Sequence, residues 1–182
     1  MLEQVTIGGA QPLTKPIELR EYDLEWPHLY EREEARVRSI IGDRVRLIEH
    51  AGSTSVPTLP AKPVIDIVLE VPDSADEPAY VPDMEEAGYV LQIREPEWFE
   101  HRVFKGPDTN VNLHVFTEGC AEVDRMLLFR DWLRKDAADR ELYADAKRKL
   151  AARDWKYVQQ YADAKTAVVH AIMARAQAEH DA

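Results

Sequence analysis

A single acidic side chain, Asp66, interrupts one of the most apolar segments of the sequence, residues 64–69. An ionised carboxylate in apolar surroundings is costly unless it is paired, hydrogen-bonded or bound to a metal ion. The position of Asp66 therefore predicts a carboxylate that works with a cation. The alternative is structural, with Asp66 anchoring a neighbouring loop through hydrogen bonds.

That loop precedes Asp66 and contains Gly52, Ser53, Thr54 and Ser55. Glycine permits a tight turn and a close approach of the backbone, so that exposed N–H groups and three hydroxyls can surround a phosphate. Lys62 adds a positive charge between the loop and Asp66. We therefore predict a phosphate-binding loop.

Two predicted strands carry polar side chains at alternating positions. Asp66 and Glu70 share one face of the first strand, and Asn112 and His114 share one face of the second. If both faces point the same way, the four side chains line one cleft. We expect Mg²⁺ there, with Mn²⁺ as the alternative that His114 favours, and Asp66 and His114 as the catalytic pair. A histidine packed in the half-buried sheet is the structural alternative for His114.

Cations and one aromatic residue complete the predicted cleft. Arg102 and Lys105 lie on a predicted hairpin, and Lys147 and Lys165 lie on later helices. These side chains are candidates for a wall that binds phosphate, although each is also of a type that commonly lies solvated on the surface. Tyr161 is the candidate for stacking on a base.

The elements that position these residues follow from hydrophobic periodicity. Strands are predicted at residues 17–22, 45–50, 63–71, 89–93, 101–105 and 111–116. The longest helices are predicted at residues 27–42, 122–134, 136–153 and 156–176. The last two strands form a hairpin. The pattern indicates an α+β fold, in which a short mixed β-sheet has flanking helices and a C-terminal helical cap.

The organisation along the chain is that of one domain. Residues 1–16 contain two glycines and two prolines without clear periodicity and are predicted to be a flexible arm. Residues 17–176 form the domain, with the sheet core at 17–117 and the helical cap at 122–176. Residues 177–182 are a predicted tail.

Composition limits the classes of partner. The 182 residues include 23 Lys and Arg and 34 Asp and Glu, which gives a net charge of -11. This charge makes nucleic acid an unlikely partner, because duplex binding needs clustered cations. The sequence shows neither the ~20 consecutive apolar residues that span a bilayer nor a signal peptide, so we expect no membrane partner and a cytoplasmic location.

Several ordered motifs resemble the GrpB-like family. They are the run HAGSTSVPTLPAKPVID at residues 50–66, LHVF at 113–116 and FRDWLR at 129–134. Members of that family are regarded as nucleotidyltransferases of the polymerase-β-like superfamily, and a related module occurs in some dephospho-CoA kinases. The resemblance implies transfer of a nucleotidyl group from an NTP donor to an acceptor, with a divalent metal.

One position departs from the superfamily pattern. Val68 stands where the resemblance implies a second carboxylate, and such carboxylates hold the cations of two-metal phosphoryl transfer. The alternative interpretation is therefore a catalytically degenerate module. Such a module binds a ligand, or a protein partner on its helical cap, in the manner of a chaperone.

Overall fold

One mixed sheet forms the centre of the protein, described here by a computed structural model at residues 5–9, 12–13 and 16–182. The strands lie in the order β1-β2-β5-β4-β3. They are β1 (Leu47–Ala51), β2 (Ile65–Val71), β3 (Val90–Glu95), β4 (His101–Lys105) and β5 (Val111–Thr117). Strands β2 and β5 pair in parallel, and the other pairs are antiparallel. The predicted α+β architecture is confirmed.

Six α-helices flank the sheet in the part of the chain that the structure describes. They are α1 (Glu25–Ile41), α2 (Val81–Glu86), α3 (Ala121–Lys135), α4 (Ala137–Ala151), α5 (Val158–Ala164) and α6 (Thr166–His180). Helix α1 packs on the face of β2 that carries Ile65, Ile67 and Leu69. Helices α3 to α6 form the cap, and Val123 of α3 packs on the opposite face against Val68. Asp66 lies on this cap-side face, because side chains alternate along a strand.

The predicted strand at residues 17–22 is wrong. In its place is one isolated bridge, in which the backbone N–H groups of Arg20 and Ala61 donate to each other's carbonyls at 2.9 and 2.8 Å. The partner of this segment is the loop before β2 and not a strand of the sheet. A continuous ladder therefore does not form, and helix α1 begins soon afterwards.

The single helix predicted at residues 156–176 is two helices, α5 and α6. The chain turns at Lys165, whose N–H donates to the carbonyl of Ala162 at 3.1 Å, three residues back. A continuous α-helix would instead direct that N–H to Tyr161, four residues back. The predicted tail from residue 177 is also corrected, because α6 continues to His180.

Parts of the predicted N-terminal arm contact the domain. The backbone N–H of Ile7 donates to Gln92 on β3, and that of Leu13 donates to Lys156, each at 2.8 Å. Residues 1–4, 10–11 and 14–15 of the predicted arm lie outside the described residues. None of the helices in the described part of the chain has the length and apolar character needed to cross a membrane.

Candidate functional site

Asp66 lies on β2 directly beside Asn112 on β5, because the two residues are partners in the parallel ladder. The side-chain amide of Asn112 donates to Asp66 Oδ1 at 2.9 Å, and His114 Nε2 lies 3.4 Å from the same oxygen. The Asp66 side chain keeps 30% of its surface exposed. The structure thus brings together three of the four residues that the sequence assigned to a metal site.

The surroundings of Asp66 favour its charged form. Burial raises the pKa of the carboxyl, but the hydrogen bond and charge of His114, the Asn112 amide and the charge of Lys62 act against burial. Together they hold the pKa of Asp66 below its usual value. A carboxylate, and not a carboxylic acid, therefore faces the cap.

The loop after β1 touches Asp66 through its glycine. Gly52 has φ +65°, and a Cβ built on it would lie 2.5 Å from Asp66 Oδ2. Two of the three predicted phosphate-binding hydroxyls are engaged locally, Thr54 with His50 of β1 and Ser55 with the carbonyl of Gly52. Ser53 differs, since its side chain lies beside Tyr143 of the cap.

Four lysines surround this carboxylate and come from four separate parts of the chain. Lys62 precedes β2, Lys105 ends β4, Lys147 lies on α4 and Lys165 separates α5 from α6. We call these four residues the lysine cluster. Within the described part of the chain, no carboxylate lies within 4.0 Å of their Nζ atoms, so the cluster has no direct ion pair there. Lys147 Nζ donates to the carbonyl of Pro60, and Lys105 Nζ donates to the side-chain oxygen of Asn112.

Burial makes the charge of the cluster costly. It lowers the pKa of Lys62, Lys105 and Lys147, and it lowers the pKa of Lys165 to about 8. The negative charge of Asp66 raises the pKa of each of the four and so opposes burial in every case. One carboxylate therefore supports four partly or fully buried amines.

Tyr161 joins the cluster through its ring. Lys165 Nζ lies 4.4 Å and Lys62 Nζ 5.8 Å from the ring centroid, distances at which an ammonium is attracted to an aromatic face. The Tyr161 side chain is fully buried, and its hydroxyl has no hydrogen-bond partner among the described residues. The predicted role of this residue as a stacking platform thus gives way to contact with cations.

The sequence did not indicate two further residues of the site. His101 Nε2 lies 3.0 Å from His114 Nδ1, and His101 Nδ1 lies 2.7 Å from a carboxylate oxygen of Glu95. The three side chains and Asp66 form one row across the cap-side face. The sequence signal that could have indicated His101 is the alternation of side chains along β4, which places His101 on the same face as Lys105.

The family is decided by a match along most of the chain. Residues 16–175 fit the model of the GrpB protein family, a span that includes the Gly52 loop, Asp66 and the lysine cluster. The chain belongs to the GrpB family. The resemblance to the GrpB-like family, which the sequence motifs indicated, is confirmed.

Similar GrpB relatives and one solved structure agree with this assignment. A UPF0157 protein of Halalkalibacterium halodurans is 59% identical over 177 residues, which are 97% of this chain and 91% of the relative. A dephospho-CoA kinase of Mycolicibacterium paratuberculosis is 28% identical over 81% of this chain but only 42% of its own length. The crystal structure of GrpB from Enterococcus faecalis has a TM-score of 0.80 at 28% identity and covers 91% of this chain and 100% of that protein.

Two residues that the sequence placed in the cleft of this GrpB chain lie elsewhere. Arg102 points to the opposite face of β4, is 4% exposed and forms ion pairs with Glu77 at 2.7 Å and Glu100 at 3.2 Å. Glu70 accepts the backbone N–H of Cys120 at the start of α3. Both contacts are structural, because they join elements of the fold.

The side chains of this GrpB site do not fit a resident Mg²⁺ or Mn²⁺. Asp66 is the carboxylate that faces the cluster, the apolar Val68 follows it on the same face of β2, and Glu70 is engaged at α3. No group of three or more His, Cys, Asp or Glu that could hold a metal ion occurs in the described ranges. Magnesium prefers oxygen ligands, whereas four amines surround this site and would repel a cation.

Proposed function

We propose that this GrpB chain binds a nucleotide or another phosphate compound at the lysine cluster. The observation that carries the proposal is the imbalance of four partly or fully buried lysines around one carboxylate. Buried charges need compensation, and among the described residues Asp66 serves all four amines without a direct ion pair to any of them. An anion bound between Lys62, Lys165 and Tyr161 would supply that compensation.

Phosphate suits this site better than a carboxylate ligand does. A phosphate group has three acceptor oxygens and carries up to two negative charges, whereas a carboxylate has two oxygens and one charge. Lysine is a common phosphate ligand that acts as a point charge. The similarity to a dephospho-CoA kinase supports a nucleotide-related ligand, although this chain spans less than half of that enzyme.

Nucleotidyl transfer from an NTP is the second candidate function. The observation in its favour is that Asp66 and His114 lie side by side in the cleft, where they could orient an acceptor hydroxyl. Because the side chains do not fit a resident metal, we propose that any Mg²⁺ or Mn²⁺ arrives with the NTP phosphates. Binding without turnover remains the main proposal.

A thermal-shift titration tests the main proposal. The ligands are ATP, GTP, CTP, UTP and dephospho-CoA, each with Mg²⁺, with Mn²⁺ or with EDTA. A ligand at 100 times its Kd stabilises the native state by about 2.7 kcal/mol. We expect a rise in Tm with EDTA present, its loss in Lys165→Met, and its retention in Lys135→Met, which removes an exposed lysine paired with Glu179.

The outcomes separate the candidate functions. A Tm unchanged by every ligand contradicts phosphate binding and directs the search to a protein partner on the helical cap. A shift that survives Lys165→Met places the ligand elsewhere. For transfer, α-labelled NTPs and a panel of hydroxyl acceptors are incubated with the wild type and Asp66→Asn. Label that moves to an acceptor only with the wild type supports an enzyme.

A further inference from the structure

A cavity of about 590 Å³ lies beside the lysine cluster, among the cap helices. It shares Lys165 and Tyr143 with the candidate site. Its other lining residues are Arg125 of α3, Ala162 of α5, and Thr166, Val169, His170, Met173 and Ala174 of α6. A volume of this size lies within the roughly 300–1,000 Å³ range of small-molecule pockets.

The walls of the cavity differ from the lysine cluster in chemistry. Val169, Met173 and the two alanines present apolar surface, whereas Thr166 and His170 supply hydrogen-bonding groups. Arg125 is engaged, because it donates two hydrogen bonds to Glu122 at 2.6 and 2.9 Å. The cavity thus combines an apolar lining with a few polar groups, which is typical of sites for organic molecules.

The break between α5 and α6 connects the two regions. Lys165 stands at this break, with its Nζ over the Tyr161 ring, and Thr166 begins α6 at the cavity wall. The N-terminus of a helix carries a partial positive charge, which adds to that of Lys165. The buried hydroxyl of Tyr161, which lacks a partner among the described residues, lies in the helix that ends at this break.

We propose that the cavity binds the organic part of the phosphorylated ligand, while the lysine cluster binds its phosphate. The inference rests on the proposed function and narrows it. The ligand is an organic phosphate, such as a nucleotide, and not inorganic phosphate or polyphosphate. Val169 and Met173 contact the apolar part of the ligand, and Thr166 and His170 hydrogen-bond to its polar groups.

The test compares ligands that share a phosphate chain. Kd values are measured by calorimetry for tripolyphosphate and for the four NTPs on the wild type. At least one organic phosphate is expected to bind about tenfold or more tightly than tripolyphosphate, which corresponds to ~1.4 kcal/mol. Ala174→Trp fills the cavity from an exposed position, and Ala162→Leu is a milder second variant.

Paired variants inside and outside the cavity test the inference. Ala174→Trp should remove the tenfold preference and leave the Kd of tripolyphosphate unchanged. Ala178→Trp, at an exposed position of the same helix outside the cavity, should keep the preference. The inference is overturned if tripolyphosphate binds the wild type as tightly as the organic phosphates, or if the preference survives both cavity variants. Failure of every phosphate compound to bind would instead contradict the proposed function.

Discussion

Gly52 lies against the carboxylate of Asp66 with no room for a side chain. A Cβ at Gly52 would come within 2.5 Å of Asp66 Oδ2 and 2.8 Å of Asp66 Cβ. The φ of +65° is also a conformation that residues with a side chain rarely adopt. The loop and the central strand are therefore fixed to each other at the point where the lysine cluster meets the sheet.

Replacing Gly52 with alanine should destabilise the fold more than the same change at Gly119. Both glycines have positive φ, and Gly52 also has ψ -174°, a region essentially restricted to glycine in which a side chain costs on the order of 1–3 kcal/mol. A Cβ added at Gly119 would have no atom within 4 Å, whereas a Cβ added at Gly52 would also displace Asp66. Overpacking adds about 1–3 kcal/mol. Urea unfolding of Gly52→Ala and Gly119→Ala measures the difference, and equal losses would contradict the close contact.

Arg102→Met should lower stability without affecting ligand binding. Its guanidinium is buried and paired with Glu77 and Glu100, so removal breaks two ion pairs to the charged carboxylates and leaves Glu77 paired with Arg94. We expect a loss of about 1–3 kcal/mol in the free energy of unfolding. Because Arg102 faces away from the lysine cluster, the Kd for a nucleotide should stay within about twofold of the wild type, a change of under ~0.5 kcal/mol. A large rise in Kd would show that Arg102 contributes to ligand binding.

The central part of the fold could be predicted from the sequence because its signals are local. The β-branched run of β2 and the alternation of β5 identify two strands, and their polar faces predict that Asp66 and Asn112 line one cleft if both faces point the same way. The parallel register that pairs the two residues comes from the structure. The break at Lys165 could not be predicted. The sequence of residues 156–176 is compatible with one continuous helix. Only the backbone hydrogen bonds of the folded chain show the turn at Lys165.

Side-chain direction limited the prediction of the site. Arg102 and Lys105 are both basic residues of one short strand, but they are three positions apart and therefore lie on opposite faces. Lys105 reaches Asn112, while Arg102 pairs with Glu77. Likewise, Glu70 shares the face of Asp66, yet the start of α3 packs over it and its carboxylate bonds there. Such engagement depends on tertiary contacts that no local pattern encodes.

Tyr89→Phe should destabilise the protein more than Tyr80→Phe. The Tyr89 hydroxyl donates to Glu33, whose side chain is fully buried in α1, whereas the Tyr80 hydroxyl donates to the neutral carbonyl of Ser74. Hydrogen bonds to charged groups contribute about 1.5–3 kcal/mol and neutral ones about 0.5–1.5 kcal/mol. Thermal and urea unfolding of the two variants compare these losses. Equal losses would contradict the stronger hydrogen bond from Tyr89 to Glu33.

Phosphate binding should weaken as the pH rises above about 8, the pKa to which burial lowers Lys165. Below that pH the free site carries the Lys165 charge, and above it the amine is neutral and must take up a proton to bind an anion. Affinity then falls by up to about tenfold per pH unit for this one proton. The neighbours Lys62, Lys105 and Lys147 also have pKa values lowered by burial, whereas the lowered pKa of Asp66 keeps that carboxylate ionised throughout.

Lys165→Arg isolates the contribution of that residue. A guanidinium keeps its charge at every pH in the range, because arginine in proteins has a pKa above ~12. The variant should therefore lose less affinity than the wild type between pH 8 and about 9.5, that is, from the Lys165 pKa to roughly 1.5 units above it. Calorimetric Kd values at steps of pH, at constant ionic strength, measure the two slopes. Parallel slopes in both proteins would mean that Lys165 does not bind the phosphate, and the positive charge that does would have to be sought among the other three lysines.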